Sequence, residues 1–273
     1  MEKDEDLKSR VMEFWDEKSC GEVYAEGESE REYYESQSLA RYSLEPYIRD
    51  FARFGEGAGK DVLEIGVGMG ADHLEWAKSR PRSLTGIDLT PRAVVHTQRQ
   101  LELSGYHPNV QVGDAEALPF PDGCFDIVYS WGVLHHSPDT AAAFGEVFRV
   151  LRSGGAARIM VYHKYALTGY MLWLRYGLLR GRPLRPLRDI YATHLESPGT
   201  KAYTVAEVRA MCSRYSRVDI RIQLSFGDLL QGAVGQRHGG RLLDVARKIW
   251  PRRLLARMFR HHGLCMLIEA RKG

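Results

Sequence analysis

Three groups of residues in this chain have types and spacings that could do chemistry. The first is Glu64-Ile65-Gly66-Val67-Gly68-Met69-Gly70-Ala71, whose glycines allow a sharp turn and let backbone N–H groups approach a ligand closely. The second is a pair of carboxylates, Asp88 and Asp114. As hydrogen-bond acceptors, Asp88 suits the hydroxyls of a ribose and Asp114 an exocyclic amine. The third is a set of histidines, His135, His136 and His163. A positioned histidine can take the proton of a reacting hydroxyl, an effect of about 10²–10⁴-fold. The plainer reading is no direct proton role for the first two and a surface loop for His163.

The elements around these residues place them together. Residues 61–65 read as a buried strand that ends at the glycines, and 83–87 as a second strand that ends at Asp88. A third strand, 109–112, ends at Gly113-Asp114, a fourth covers 125–129, and a fifth covers 157–162. Helical patterns lie between them. One opens at Thr90-Pro91, an N-cap followed by proline in the first turn. Another is capped by Asp139 and carries the apolar stripe Phe144, Val147, Phe148 and Leu151. Two last strands, 217–224 and 264–270, bring the count to seven. The alternation predicts an α/β fold, a doubly wound, mostly parallel sheet with helices on both faces. Right-handed crossovers then bring the strand C-terminal ends to one edge, where such sheets bind ligands. Each candidate residue lies at or just beyond a strand end.

The glycine segment alone leaves the ligand open. It could be a tight strand-to-helix turn with nothing bound. Gly66, Gly68 and Ala71, with Asp88 further on, also satisfy a dinucleotide-binding spacing. Glu64 favours a ligand with an ammonium group over a pyrophosphate. Asp114 favours an adenine amine. A nicotinamide-dependent oxidoreductase with a tyrosine and lysine four apart is not supported, because Tyr162 and Lys164 are two apart.

Five motifs in order carry a resemblance. Val62 to Gly70 resembles motif I of class I S-adenosyl-L-methionine (SAM)-dependent methyltransferases of the type 11 kind. Gly86-Ile87-Asp88, Gly113 to Phe120, Phe125 to Val128, and Arg149 to Gly155 resemble the motifs of the later strands. The similarity covers about residues 60–164. It implies a Rossmann-like methyltransferase fold with SAM as cofactor. Gly66, Gly68 and Gly70 then line its methionine part, ordered by Glu64, and Asp88, beside Leu89, takes the ribose hydroxyls. Asp114 and Ala115 hold the adenine with Leu118 against its ring, and Trp131 walls the pocket. In such proteins N-terminal helices and late insertions cover the acceptor. Tyr24, Tyr33, Tyr34 and Tyr42, with Arg41, could close over SAM, or pack inward as the apolar face of a helix.

The rest of the chain suggests a lid and a cap. Helical patterns at 4–18 and 31–54 make 1–56 an N-terminal helical lid. The SAM-binding core is 57–163, a helical insertion is 164–203, and 204–273 completes the sheet around a basic insertion, 226–262. Residues 1–35 carry 13 acids and 5 bases, while 164–188 carry 6 bases and no acid, and 237–262 carry 8 bases and one acid. The ends could pair with each other, or the bases could meet an anionic membrane. No nucleic-acid-binding module is recognisable. A small-molecule or lipid-linked acceptor, methylated at oxygen, nitrogen or carbon, is the expectation, with a catalytically silent SAM-binding protein, or a nicotinamide-dependent oxidoreductase, as the alternatives. The four cysteines stand at no metal-ligand spacing, and no metal is expected. The acidic N-terminus has no secretory pattern, and the apolar run 166–179 is interrupted by Arg175. A cytoplasmic protein that could lie against a membrane is expected.

Overall fold

The computed structural model describes residues 2–231, 247–248 and 250–273. Its centre is a seven-stranded sheet in the order β3-β2-β1-β4-β5-β7-β6. The strands are β1 Asp61–Ile65, β2 Ser83–Asp88, β3 Val110–Val112, β4 Phe125–Trp131, β5 Leu151–Tyr162, β6 Arg217–Gln223 and β7 Cys265–Arg271. All pair in parallel except β7, which runs antiparallel to β5 and β6. Val62, Leu63 and Ile65 of β1 are buried, as a central strand covered on both faces requires. The chain winds outward from β1 to β3 on one side and from β4 on the other. The order therefore reverses between β1 and β4, the switch point at which such sheets open a crevice.

The helices start where the sequence says they should. Thr90 accepts the Ala93 N–H to open α5, Pro91–Leu103, and Asp139 accepts the Ala142 N–H to open α6, Thr140–Val150. Thr204 and Glu207 form a reciprocal capping box at α9, Val205–Met211. Helix α4, Ala71–Lys78, follows the glycine segment. The lid comprises α1, Glu2–Glu17, α2, Glu30–Leu44, and α3, Tyr47–Ala52. The single helix expected at 31–54 is thus two, because Pro46 supplies no N–H and disfavours helical backbone at Glu45. The 164–203 segment holds α7, Leu167–Tyr176, and α8, Leu187–His194, the latter not anticipated. Of the basic pattern at 240–260, α10, Arg252–Met258, follows Pro251 as expected. Residues 232–246 and 249 lie outside the described residues. No described helix is long and apolar enough to cross a membrane.

Ion pairs dock the lid on the core. Arg92 and Arg99 of α5 grip Glu22 and Glu30. Lys8 of α1 reaches Asp114 and Glu116, each at 2.6 Å. Part of the acidic N-terminal charge is therefore met by the core rather than by the basic insertions. Tyr34 and Tyr42 are buried, so for these two the inward-packing reading is the one observed.

Burial opposes ionisation of Glu22, but Arg92 and the Ser19 N–H outweigh it and hold the carboxyl down at about 2. A carboxylate depressed in the folded state stabilises fully above its ordinary value of roughly 4.3, and loses that contribution as pH falls from there toward 2. Glu22→Gln should accordingly be less stable than wild type in urea at pH 7, with the gap closing near pH 2. An equal gap at both pH values would show that the ionised pair contributes nothing.

Candidate functional site

A deep cleft opens at the C-terminal edge of β1, β2, β4 and β5, and the lid and both insertions roof it. Its floor is the glycine segment. Gly66 has φ +81° and a Cβ there would strike Val133, while its N–H donates to Ile87 O at 2.7 Å, tying the turn to β2. Gly68 has φ +53°, and a Cβ there would meet no protein atom within 4 Å, only the open cleft. Both line the cleft. Gly70 is not in the cleft wall; it packs on Thr97 and Gln100 and turns the chain into α4.

Asp88 ends β2 beside this loop. Its carboxylate accepts from the Gly68 N–H (3.1 Å), the Thr90 N–H (3.0 Å) and the Thr90 hydroxyl (3.0 Å). Burial still raises its pKa above the ordinary value, because these three bonds do not replace full hydration. Leu89 lies next to it in the wall. Asp114 and Ala115 line the far side, where Asp114 accepts from the Glu116 N–H at 2.9 Å as well as from Lys8. Leu118 is buried in the main core and does not reach the cleft wall. Trp131 does, packed against Tyr47 and Phe51 with ring centres 5.9 Å away in each case.

Under the loop lie two buried polar clusters. Glu64, which lines the cleft, is 2.8 Å from His73 Nδ1. Burial drives both toward their neutral forms, Glu64 well above the usual carboxylate range and His73 down to about 3. Arg41 of α2, also in the wall, donates two hydrogen bonds to Asp72 of α4, at 2.9 and 2.5 Å. The hydroxyls of Tyr42 and Tyr129 donate to the same carboxylate at 2.9 and 2.7 Å. Asp72 is buried, which opposes its charge, yet these donors hold its pKa below the ordinary value.

At the other end, the three candidate histidines separate. His136 lines the cleft, with Nδ1 2.8 Å from the Ser197 hydroxyl and Nε2 3.5 Å from Glu196. His135 is fully buried behind it, its ring tilted against those of His136 and Tyr162, with centres 4.2 and 3.9 Å away. Burial pushes the His135 pKa well down. His163 is buried against Gly263 O at 3.2 Å and is outside the cleft wall. Tyr162 faces the cleft and donates to Glu196 at 2.7 Å. The same cleft is also lined by the apolar Met160, Leu195, Phe226 and Leu264. Asp228 anchors this end: it accepts five hydrogen bonds of 2.7 to 2.9 Å, from Thr168, Ser225 and Leu264.

Sequence reasoning did not assign Lys8, Asp72, His73, Glu196 or Asp228. Lys8 and Asp72 read as ordinary charges on helix faces, and Glu196 and Asp228 lie in insertions without periodic pattern. No local signal marks them, because their partners are distant in the chain.

The strand order, the glycine turn between β1 and α4 and the acid at the end of β2 together define a class I SAM-dependent methyltransferase fold. Residues 63–159 match the family described as a methyltransferase domain. A fatty-acid O-methyltransferase of Mycolicibacterium smegmatis is 39% identical over 122 residues, which are 44% of this chain and 43% of that protein. A 2-methyl-6-phytyl-1,4-hydroquinone methyltransferase of Synechocystis is 40% identical over 101 residues, 36% of this chain and 30% of its own length. The chain thus spans less than half the length of these relatives. Among solved structures, geranyl diphosphate C-methyltransferase from Streptomyces coelicolor, in complex with Mg2+, geranyl diphosphate and S-adenosyl-L-homocysteine, shares the fold with a TM-score of 0.59. That likeness covers 98% of both chains at 14% identity. Residues 63–159 of the chain thus match a methyltransferase domain, set within a sheet of the class I fold.

The residues present fit the cofactor of such a domain. SAM carries an ammonium, a sulfonium and a carboxylate, and the cleft wall is rich in acids, Glu64, Asp88 and Asp114 among them. Gly68 leaves open space where any side chain would intrude. Asp88→Ala should weaken S-adenosyl-L-homocysteine binding by roughly 1.5–3 kcal/mol, the scale for a hydrogen bond to a charged group. Gly68→Val should abolish binding in calorimetry. Undiminished affinity in either folded variant would remove that residue from the cofactor site.

Proposed function

We propose that this protein transfers the methyl group of SAM to a hydroxyl of an apolar or lipid-linked small molecule. The observation that carries the reading is the continuity of one cleft from Gly68 and Asp88 to the apolar wall of Met160, Leu195, Phe226 and Leu264. SAM supplies an electrophilic methyl carbon and leaves as S-adenosyl-L-homocysteine. The protein's share is to align the acceptor in line with that carbon and to manage its proton. Of the three candidate histidines only His136 faces the cleft, and Glu196 beside it supports a role in taking the acceptor's proton. His135 and His163, walled off from the cleft, act on the acceptor only through neighbours. The relatives support the acceptor class: one is a fatty-acid O-methyltransferase and another a phthiotriol/phenolphthiotriol dimycocerosates methyltransferase.

The exposed surface of the two insertions supports contact with a membrane. Leu174, Leu178, Leu179, Leu184, Leu254 and Met258 are exposed, and arginines 175, 180, 182, 253 and 257 are exposed among them. Apolar side chains interleaved with arginine suit an anionic bilayer from which a greasy acceptor could enter.

Incubation with methyl-labelled SAM and a lipid extract should move label into an organic-soluble product. His136→Ala should still bind S-adenosyl-L-homocysteine and lose turnover by on the order of 10² or more. In the same preparation the protein should sediment with anionic vesicles at low salt and be released at high salt, as screening over a Debye length of roughly 8–10 Å requires. Replacing arginines 180, 182, 253 and 257 by glutamine should reduce sedimentation without changing cofactor affinity. Label appearing only in water-soluble products, without vesicle binding, would contradict the acceptor class.

A further inference from the structure

His135, His136 and Glu196 bring three donor groups together, each offering one atom within 4.8 Å of the others. His136 Nε2 and Glu196 are the nearest pair, at 3.5 Å. Neither ring nitrogen of His135 has a hydrogen-bond partner among the described residues, although the residue is fully buried. His136 Nε2 is likewise without a hydrogen bond. Buried polar atoms are nearly always paired, and one that is not calls for an explanation such as an ion or a catalytic role.

We propose that His135, His136 and Glu196 bind a divalent transition-metal ion of the zinc class at the acceptor end of the cleft. Bonds of about 2.0–2.2 Å to one ion place donors within roughly 4 Å of each other, a small side-chain adjustment from what is seen. Two imidazoles and a carboxylate suit zinc, iron or cobalt rather than magnesium or calcium, which prefer all-oxygen sets. The surrounding bonds are those of an outer shell. The Ser197 hydroxyl fixes His136 at Nδ1, and the Tyr162 hydroxyl fixes Glu196. Three protein donors leave a coordination position open, and His136 and Glu196 turn it toward the cleft.

The use of that position rests on the methyl-transfer reading. An acceptor hydroxyl bound to the ion is acidified and gives its proton to solvent. Its oxygen then forms the bond to the methyl carbon as the carbon–sulfur bond breaks and its electron pair returns to sulfur. Coordination thereby replaces proton transfer to His136, whose nitrogen holds the ion instead.

The test uses the full chain, stripped with chelator, dialysed and titrated with cobalt(II) chloride, while calorimetry follows S-adenosyl-L-homocysteine in the same samples. Visible ligand-field bands should saturate at one equivalent per chain. Glu196→Gln and His135→Ala should each weaken cobalt binding by about tenfold or more. Cofactor affinity should be unchanged in Glu196→Gln, and if His135→Ala does not fold, Glu196→Gln alone decides. Absent bands in wild type, or equal cobalt affinity in Glu196→Gln, would overturn the ion site while intact cofactor binding left the methyl-transfer reading standing. Loss of cofactor binding in wild type would instead overturn that reading. Turnover that survives stripping would return the proton to His136 and overturn the ion's place in catalysis.

Discussion

The buried carboxylate of Asp72 is the interaction on which the closed cleft depends. It stands on the first turn of α4, just after the glycine segment, and it collects Arg41 and Tyr42 from α2 and Tyr129 from β4. One residue thereby joins the lid, the glycine loop and the central strand on the other side of the switch point. A buried ion pair is often no better for stability than apolar packing, because desolvation offsets attraction. Its value here is geometric. Four directed donors fix where α2 lies over the glycine loop, and removal of any one leaves a charge buried with fewer partners.

The electrostatics of the cleft follow from the same logic. Lys8 and Arg41 are spent on Asp114 and Asp72, and burial holds both Glu64 and His73 toward their neutral forms. An ammonium or sulfonium nearby would favour the ionised form of Glu64, so a cationic ligand supplies the charge that the empty pair lacks. The acceptor end is built differently. Its polar groups, His136, Glu196 and Tyr162, are gathered at one spot, and Met160, Leu195, Phe226 and Leu264 add apolar surface to the same wall. A ligand with one reactive polar atom on a greasy body matches that division.

Much of the frame was legible in the sequence because it is written locally. Apolar runs, capping residues and glycines at strand ends mark β1, β2, α5, α6 and α9 without knowledge of distant partners, and the strand-end rule put Asp88, Asp114 and His136 on one edge. Pro46 could have been read as the break between α2 and α3, since its consequences are equally local. Gly70 and Leu118 carry the right motif but face the protein, because motif position does not fix which way a residue points. The long-range contacts were not legible. Lys8 meets Asp114, Arg41 meets Asp72, and Glu196 meets His136 only after the sheet has brought the lid and the insertion to the same edge.

The central claim is that the cofactor lies between the glycine segment and the N-terminal lid. Hydrogen exchange of the full chain with and without S-adenosyl-L-homocysteine tests it most directly, since amides that are ordered by a ligand gain protection. Protection is expected to rise in residues 66–70, in 88–90 and in α1 around Lys8, Val11 and Trp15, which line the cleft. Protection confined to other parts of the chain, with α1 and the glycine segment exchanging as before, would contradict the account.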